Sequence, residues 1–509
     1  MSVWLRRLST DRIERRLAAP DDTPRVVVAA IEQAQRIVAM NDAAARLRLR
    51  PDMPLADARA MYPSLPVFEA DFEADRRLLE AVADWCDRYT PLVGLDPPDG
   101  LFLDITGCAH LYNGEATLAR DLLTRLKQQG FAARVAVADT PGCAWGVARY
   151  GKQGFVPRGG NEAAMLPLPI AALRTDAGTV ADLKTSGLVT VGDLAARPRA
   201  PFVARFGAGL ILRLDRALGR ADEPIRPRLP VPAAMAEQRF PDPIAREEDV
   251  LGTIEQLAGR LATLLERRGE GGRLFQVALF RADGRVHRLE LGTGAPLRDP
   301  PRVRKLYQER LAVLADACDP GFGYDMIRLS AVATERVDSV QTGLAGGDHA
   351  DELTHLIDRL GARFGLRRVT RLVPQDTHIP EYAVAALPAH APAAFFAAIE
   401  ARDDLAQDSL SPVRPLHLFE HPESVEAIAQ VPDGPPVRFN WRRTLHHVVR
   451  VEGPERIEME WWRDDRGNRL ARDYFRVESR TGMRAWLYRE GFYSDKNPHP
   501  HWYLHGLFA

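Results

Sequence analysis

The chain has few cysteines and no long apolar run. Its cysteines stand far apart with no C-x-x-C spacing, at Cys86, Cys108, Cys143 and Cys318. That pattern indicates reduced, mostly buried thiols and argues against a zinc site. No stretch of about 18 apolar residues is present, and the arginine-rich first residues lack an apolar signal core. We therefore expect a cytoplasmic protein with no membrane association.

An excess of charge of either sign is also missing. The 68 Lys and Arg residues nearly balance the 69 Asp and Glu residues, which leaves a net charge of −1 at pH 7. Any nucleic-acid surface must therefore be a local basic face, because the chain as a whole is not basic. With 509 residues, 46% hydrophobic and 27% charged, the chain is globular and long enough for several domains.

Short strand patterns alternate with a helix pattern over the first 164 residues. The helix pattern is Glu115–Gln129, with leucines at helical spacing, and strand patterns lie at residues 3–8, Val26–Ala30, Leu101–Asp104 and Arg134–Ala138. This order of elements suits a ferredoxin-like α+β domain with an insertion. The same order also occurs in many other α+β folds.

The most informative stretch is Gly94–Gly107, which has the sequence GLDPPDGLFLDITG. It resembles the active-site strand of the lesion-bypass (Y-family) DNA polymerases, which usually has Ser-Ile-Asp-Glu, two residues, then Leu-Asp-Val-Thr-Gly. The family's Asp is kept at Asp99, and its adjacent Glu is replaced by Gly100. Nucleotidyl transfer requires clustered carboxylates that hold two metal ions. One remaining carboxylate cannot assemble that site.

The resemblance continues through Ile37–Leu65, which is similar to the family's fingers. The Tyr and Arg that contact the incoming triphosphate in the family fall on Asp42 and Ala45. Ala45 cannot make the bidentate hydrogen bonds of an arginine, and Asp42 would repel phosphate. A basic triphosphate contact persists at most at Lys152.

The first strand departs from the family in the same way. The family's Asp-x-Asp falls on Leu5 and Arg7, and the nearest aspartate, Asp11, is expected to cap the next helix. The resemblance therefore implies that no catalytic residue is left, with degenerate positions at Leu5, Arg7, Asp99 and Gly100.

Two later segments carry the residues that we expect to contact DNA. Residues 165–232 resemble the family's helix-hairpin-helix thumb, with Asp193 as a helix cap, and residues 233–335 resemble its little finger. Hairpin amides and helix N-termini hold phosphate without recognising sequence. Solvated arginines on structural helices remain an alternative for both segments. The expected DNA contacts are Gly187, Gly192, Arg213, Arg216, Arg220, Arg302, Arg304 and Lys305.

The last third of the chain extends beyond an ordinary polymerase. Residues 336–410 are expected to form a linker and a helical region, and residues 411–509 a β-rich partner-binding domain. We expect the tryptophans of this domain to lie in its core. The terminal histidines are expected to lie in a loop and a strand, and a metal site is the less favoured alternative. The tryptophans are Trp441, Trp461, Trp462 and Trp486, and the histidines are His499, His501 and His505.

The whole arrangement, up to the ending WYLHGLFA, resembles the ImuB-type Y-family proteins of bacterial mutasomes. The resemblance implies a non-catalytic adaptor in damage-induced translesion synthesis and mutagenesis. Its partners would be damaged or primer-template DNA, an error-prone C-family polymerase, a RecA-like ImuA protein and the sliding clamp. The family's clamp peptide is eroded at Gln341–Gly346, where Gln341 and Leu344 fit but two apolar anchors are missing. Weak clamp binding is therefore predicted at this segment.

The predicted fold class is an α+β multidomain chain with Y-family architecture. It comprises a ferredoxin-like palm (1–164) with fingers inserted at about residues 15–80, the thumb, a β-α-β-β-α-β little finger and the β-rich C-terminal domain. No cofactor is expected for an adaptor. An active Y-family polymerase, which would require Mg²⁺, is one alternative, and a regulatory DNA binder that never meets a replicase is another. The missing carboxylates argue against the first alternative, and the extra C-terminal domain argues against the second.

Overall fold

The computed structural model describes residues 1–17, 22–314, 318–337, 349–391, 413–430, 434–460, 462, 470–491 and 500–509. The chain divides into two compact units, Met1–Ala345 and Gly346–Ala509. The segment with the eroded clamp peptide lies outside the described residues. No described helix is long and apolar enough to cross a membrane.

The first unit mixes short strands and helices. In chain order its elements are β1 (Ser2–Leu5), α1 (Leu8–Glu14), β2 (Val26–Ile31), β3 (Ala34–Met40), α2 (Asp42–Arg46), α3 (Leu55–Met61), β4 (Val67–Glu69), α4 (Phe72–Cys86), β5 (Val93–Asp96), β6 (Gly100–Leu103), α5 (Glu115–Gln128), β7 (Ala133–Ala136), α6 (Pro141–Tyr150), α7 (Asn161–Met165), α8 (Ala177–Thr185), α9 (Val191–Ala195), α10 (Ala200–Phe206), α11 (Ala208–Leu218), β8 (Ala234–Ile244), α12 (Glu247–Arg268), β9 (Glu270–Arg281), β10 (Val286–Leu297), α13 (Pro300–Val313) and β11 (Tyr324–Arg336).

A four-stranded antiparallel sheet, the palm sheet, has the strand order β5-β6-β1-β7. With α4 before β5 and α5 before β7, this is the predicted ferredoxin-like topology. The alternation of strand side chains sends Val3 and Leu5 to one face, where they pack with leucines of α4 and α5. Trp4 points to the other face and packs with residues of α6. The two faces of β1 therefore have different roles.

The fingers are a separate three-stranded sheet of order β3-β2-β4, inserted between α1 and α4. Val26, Val28 and Ile37 form its small core with alanines and leucines of the insert. The predicted strand at Val26–Ala30 therefore belongs to this insert and does not join the palm sheet.

Two helical hairpins follow the palm. In the first, Gly187 takes a φ of 79° between α8 and α9, which glycine adopts without the strain that a side chain would bring. Thr190 is the N-cap of α9, and Asp193 completes a capping box from the third helical position. The prediction that Asp193 is the cap itself was wrong, because the threonine hydroxyl takes that role. In the second hairpin, Gly207 joins α10 to α11.

The little-finger sheet has the order β10-β9-β11-β8, with α12 and α13 on one face. Part of the opposite face packs on the palm. The guanidinium groups of Arg88 and Arg328 each lie 5.6 Å from the ring of Phe280. Arg88 pairs with Asp325 at 2.6 Å, and Arg328 donates to the Asp87 carbonyl at 2.8 Å. This ion pair and this hydrogen bond hold the sheet against the end of α4.

The second unit begins with a helix and a small hairpin and ends in a closed six-stranded barrel, β14 to β19. Its elements are α14 (His349–Phe364), β12 (Thr370–Pro374), β13 (Val384–Pro388), β14 (His417–Ala429), β15 (Pro436–Trp441), β16 (Thr444–Ile457), β17 (Arg472–Ser479), β18 (Arg484–Glu490) and β19 (His501–Leu507). The predicted β-rich C-terminal domain is confirmed.

The barrel buries most of its described aromatic residues. Phe439 and Phe475 lie inside it, while Trp486 is buried in a second cluster. His505 is buried and shares a 2.8 Å hydrogen bond with the Tyr474 hydroxyl, so this histidine is a core residue. Trp462 is 61% exposed, which corrects the expectation that it belongs to the core. Trp441 is half-buried, and Trp461 and His499 lie outside the described residues.

Candidate functional site

A hydrogen-bonded network occupies the place where a polymerase palm would hold its carboxylates. We call it the palm network, and it consists of Asp96, Asp99, Arg149, Trp145 and Trp4. Asp96 ends β5, and Asp99 follows in the turn before β6. The Nη2 atom of Arg149, on α6, lies 3.3 Å from Asp96 Oδ2 and 3.0 Å from Asp99 Oδ1. Trp145 Nε1 donates to Asp96 at 2.7 Å, and Trp4 Nε1 donates to Asp99 at 2.8 Å. Both carboxylates are therefore already hydrogen-bonded and share one cation.

The guanidinium of Arg149 is fixed between aromatic rings. Its central carbon lies 4.1 Å from the Trp145 ring and 5.4 Å from the Trp4 ring, and only 10% of the side chain is exposed. Burial raises the pKa of Asp96, and Arg149 and Trp145 partly oppose that rise. Burial likewise lowers the pKa of Arg149, against the attraction of the two carboxylates. The aromatic contacts add cation–π attraction to the ion pairs.

The residues present do not fit the two Mg²⁺ ions of the polymerase fold. Leu5 is fully buried in the palm core. A Cβ on Gly100 would lie 2.6 Å from Asp96 Oδ2 and 3.0 Å from Arg149 Nη2, so a glutamate there would displace the network. Among the residues that the structure describes, no three His, Cys, Asp or Glu side chains form a group that could hold a metal ion. No metal chemistry is therefore assigned to this site.

Two other degenerate positions lie against each other. Arg7 Nη1 lies 3.1 Å from Asp42 Oδ2, and Arg6 Nη2 lies 2.9 Å from Asp42 Oδ1. Asp42 thus serves as a partner of arginines on the chain after β1. Ala45 is exposed on α2, and Lys152 is exposed in the turn after α6. Neither of these two side chains joins the palm network.

Asp11 does not cap a helix, which corrects the prediction from sequence. It lies inside α1, is 1% exposed, and its Oδ2 accepts the Ala132 N–H at 2.8 Å. Its Oδ1 has no hydrogen-bond partner, and the nearest cation is Arg7 Nε at 3.6 Å. Burial raises its pKa to about 6. This carboxylate fastens α1 to the segment before β7.

The amides of the first thumb hairpin are used within the protein. The Gly187 N–H donates to the Lys184 carbonyl, and the Gly192 N–H donates to the Leu166 carbonyl at 2.9 Å. The amides of residues 189 and 190 both donate to Asp193 Oδ2, at 3.0 and 2.8 Å. These four amides are therefore hydrogen-bonded within the protein, and DNA contact by Gly187 and Gly192 remains a prediction.

The arginines of α11 lie in different surroundings. Arg213 is exposed and donates to the Arg174 carbonyl. It lines a cavity of about 640 Å³ that also includes the palm network, Tyr150 and Arg174. Arg216 is half-buried, and Arg220 pairs with Glu162 at 2.9 Å. Arg213 is thus the predicted thumb residue that the structure brings next to the palm network.

The predicted contacts on α13 lie on the helical side of the little finger. Arg304 pairs with Glu248 at 2.5 Å and with Glu255 at 3.5 Å, both on α12. Arg302 lies 4.0 Å from Asp299, and Lys305 is exposed. The structure therefore does not bring these three side chains to the cavity that contains Arg213.

Sequence reasoning missed the residues that complete the palm network, namely Trp4, Trp145 and Arg149, and it missed Arg174, which lines the adjoining cavity. The alternation of β1 already places Trp4 opposite to Leu5. Trp4 pairs with Gly100 because of the register between β1 and β6, which are far apart in the chain. A sequence motif does not predict that register.

Comparisons with known proteins identify the family. Residues 14–149 match the model described as the IMS, impB/mucB/samB family. Protein ImuB of Caulobacter vibrioides (strain NA1000 / CB15N) is 41% identical over 472 residues, covering 91% of this chain and 100% of that protein. DNA polymerase IV of Caulobacter vibrioides (strain ATCC 19089 / CIP 103742 / CB 15) is 28% identical and covers 62% of this chain and 80% of that protein.

Solved structures were compared as well. The crystal structure of DinB from Sulfolobus solfataricus is 15% identical, with a TM-score of 0.39, and covers 65% of this chain and 97% of that chain. The family assignment depends on the sequence match to Protein ImuB, which extends over the whole of that relative. The chain belongs to the ImuB family, and its first unit has the architecture of a Y-family polymerase.

Proposed function

We propose that this chain is a non-catalytic, DNA-binding adaptor in damage-induced translesion synthesis. It would hold an error-prone C-family polymerase and a RecA-like ImuA protein at damaged or primer-template DNA. The observation that carries the proposal is the palm network, in which Arg149 lies between Asp96 and Asp99. A DNA-related role follows from the ImuB family and its polymerase-like fold. The adaptor role and its partners are the proposal.

The network argues against nucleotidyl transfer. Metal ions would have to remove Arg149 from both carboxylates and leave its guanidinium without partners between two indole rings. Removing one partner of a buried ion pair typically costs about 3 to 5 kcal/mol, and partial exposure of Asp99 reduces that cost here. Gly100 adds no third ligand, and its surroundings leave no room for one.

DNA binding is supported by the cavity between the palm and α11. Arg149, Arg174 and Arg213 line it together with the rings of Trp145 and Tyr150. Guanidinium groups hold phosphates without distinguishing sequence, and counterion release then makes the affinity fall as salt rises. This interface suits the backbone of a primer-template, which an adaptor must hold regardless of sequence.

Partner binding is supported by an apolar surface in the second unit. Leu353, Leu356 and Phe364 on α14 are 58%, 49% and 53% exposed. Contiguous exposed apolar side chains on one helix are typical of protein interaction sites. The helix belongs to the part of the chain that follows the polymerase-like unit.

The proposal is tested by retention of a C-family polymerase on immobilised primer-template at low salt. We expect the polymerase and the ImuA-like protein to be retained together only when the full chain is present. The chain alone should bind this DNA with an affinity that falls steeply as salt rises. Retention of the polymerase that does not change when the chain is added would contradict the adaptor role.

A further inference from the structure

We propose that Arg149 is a built-in cation that takes the place of a divalent metal ion at the Asp96–Asp99 turn. We infer further that it makes DNA binding in the adjoining cavity independent of Mg²⁺. The inference about Mg²⁺ independence rests on the DNA-binding part of the proposed function. The inference that Arg149 takes the place of a metal ion rests only on the geometry of the palm network.

The geometry is that of one cation shared by two acidic ligands. The same nitrogen of Arg149 lies within 3.3 Å of an oxygen of each carboxylate. Each carboxylate also accepts an indole N–H, from Trp145 or Trp4. The indole rings that donate these bonds also lie near the guanidinium, with centroids 5.4 and 4.1 Å from its central carbon. The chain thus supplies two carboxylate contacts and two aromatic contacts to this cation, while its Nη1 atom is buried without a hydrogen-bond partner among the described residues.

The charges of the cavity explain why a cation is required there. Asp96 and Asp99 line the same cavity as Arg174 and Arg213. Arg174 is paired with Glu223, so its charge is already partly balanced. Without Arg149, two carboxylates would face any phosphate in the cavity and repel it. Arg149 permanently balances one of these two negative charges, whereas an active palm needs metal ions to do so.

Loss of Arg149 should therefore expose a latent metal site. The two carboxylate oxygens lie 3.3 and 3.0 Å from one nitrogen, so both face the position that the guanidinium would vacate. Mg²⁺ is commonly bound through one or two carboxylates together with waters and phosphate oxygens. In an Arg149→Met variant, a divalent ion would bridge the acidic turn and a DNA phosphate, and DNA binding would become dependent on the metal.

Terbium luminescence tests the metal site without DNA. Indole excitation sensitises a nearby Tb³⁺ ion, and Trp4 and Trp145 donate directly to the two carboxylates. We expect Tb³⁺ emission above the wild-type level in full-length Arg149→Met. Addition of Asp96→Asn and Asp99→Asn to this variant should abolish the gain. Equal emission from wild type and Arg149→Met would overturn the built-in cation.

A matched control removes a different arginine that bridges two carboxylates. Arg76 pairs with Glu73 at 2.7 Å and also with Glu80, on the exposed face of α4. Arg76→Met should leave the Tb³⁺ emission at the wild-type level. If Arg149→Met does not fold, Arg149→Gln replaces it, because it also removes the charge, and the same gain in Tb³⁺ emission is expected. Arg149→Lys is a second control that keeps the charge; it should show no gain in Tb³⁺ emission, and a gain there would contradict the role of the charge.

DNA affinity tests the functional half of the inference. Affinity for a primer-template is measured in EDTA and in Mg²⁺ at equal ionic strength. We expect wild type to bind the primer-template with the same affinity in both conditions. Arg149→Met should lose affinity by about tenfold in EDTA, because one more negative charge beside the phosphate is then unbalanced. Its affinity should recover in Mg²⁺. If wild type binds DNA only in Mg²⁺, the inference that Arg149 makes binding independent of Mg²⁺ is wrong. If wild type binds no DNA, the DNA-binding proposal is wrong, but the Tb³⁺ measurement still tests whether Arg149 takes the place of a metal ion.

Discussion

At the scale of single residues, two positions that depart from the polymerase family contact each other. The resemblance aligns Arg7 with one of the family's metal ligands and Asp42 with its tyrosine that contacts the triphosphate. The structure joins Arg7 and Asp42 in an ion pair of 3.1 Å. Arg149 likewise pairs with Asp96 and Asp99.

Asp11 makes the first unit sensitive to pH. Its pKa is raised from 3.8 to about 6 by burial. The folded state therefore favours the protonated form, and the associated stability is present below pH 4 and is lost as the pH rises through about 6. Asp11→Asn should raise the free energy of unfolding at pH 7.5 by roughly 1 to 2 kcal/mol, since a shift of this size is worth about 3 kcal/mol and contact with Arg7 is lost.

Urea unfolding at pH 7.5 and pH 4 checks this prediction. The difference between Asp11→Asn and wild type should become smaller at the lower pH, where the aspartate is protonated in the folded state and partly protonated in the unfolded state. Asp57→Asn, on the exposed surface of α3, is the matched control and should show little change at either pH. A destabilised Asp11→Asn at pH 7.5 would mean that the ion pair with Arg7 outweighs the cost of burial.

The motif with fixed spacing predicted that Asp99 and Gly100 lie at the palm turn, and the structure places them before and at the start of β6. The motif did not predict which residues surround this turn. Trp4 and Arg149 reach the turn from β1 and α6, which are far apart in the chain. Asp11 was misjudged for the same reason, because its hydrogen-bond donor, Ala132, precedes a different strand.

At the scale of elements, the two thumb hairpins differ in what they can offer to DNA. The hairpin of α8 and α9 uses its amides internally, with Asp193 as an acceptor. Helix α11 instead presents Arg213 to the palm cavity. The hairpin motif was recognisable from its glycines. The acceptor of the Gly192 N–H, however, is the carbonyl of Leu166, which lies more than twenty residues earlier in the chain and which the motif does not predict.

Arg213 and Arg304 should therefore differ in their effect on DNA binding. Arg213→Ala should lower the affinity equally for unrelated sequences and reduce the slope of log K against log salt by about 0.9, the value for one phosphate contact. Arg304→Ala should leave the slope unchanged, because Glu248 and Glu255 already pair with that arginine. Fluorescence anisotropy over a salt series measures both. An equal loss for the two variants would place α13 at the DNA as well.

At the scale of the whole molecule, the fold class was predictable from the family resemblance, while the packing of its parts was not. The resemblance implied the palm topology, and strand patterns predicted a β-rich C-terminal domain, but the closure of that domain into a barrel is a finding of the structure. The packing of the little-finger sheet on α4 depends on ion pairs such as Arg88 with Asp325, which no local pattern indicates.

Recruitment to the sliding clamp is predicted to be weak through Gln341–Gly346. Anchoring apolar side chains carry most of the energy of such an interface, and this segment has only Leu344. Thr342→Leu with Ala345→Phe should strengthen clamp binding well beyond wild type, as measured by surface plasmon resonance. Deletion of residues 341–346 should change clamp binding little. Loss of binding on that deletion would show that Gln341 and Leu344 suffice.

A second candidate for a clamp peptide is the apolar run Pro415-Leu416-His417-Leu418-Phe419, which is partly engaged in the barrel. Leu416 is 85% exposed, and Phe419 is half-buried with its ring 6.4 Å from that of Trp441. An aromatic anchor that packs against the barrel is not available to a clamp pocket. Phe419→Ala should therefore leave clamp binding unchanged in the same measurement.

Primer extension by the purified full-length chain tests the central claim most directly. With primer-template, all four deoxynucleotides and either Mg²⁺ or Mn²⁺, we predict no extension, because Asp99 is held by Trp4 and Arg149 and Gly100 supplies no ligand. Template-dependent incorporation that disappears in Asp99→Ala would contradict the account and identify the chain as an active polymerase.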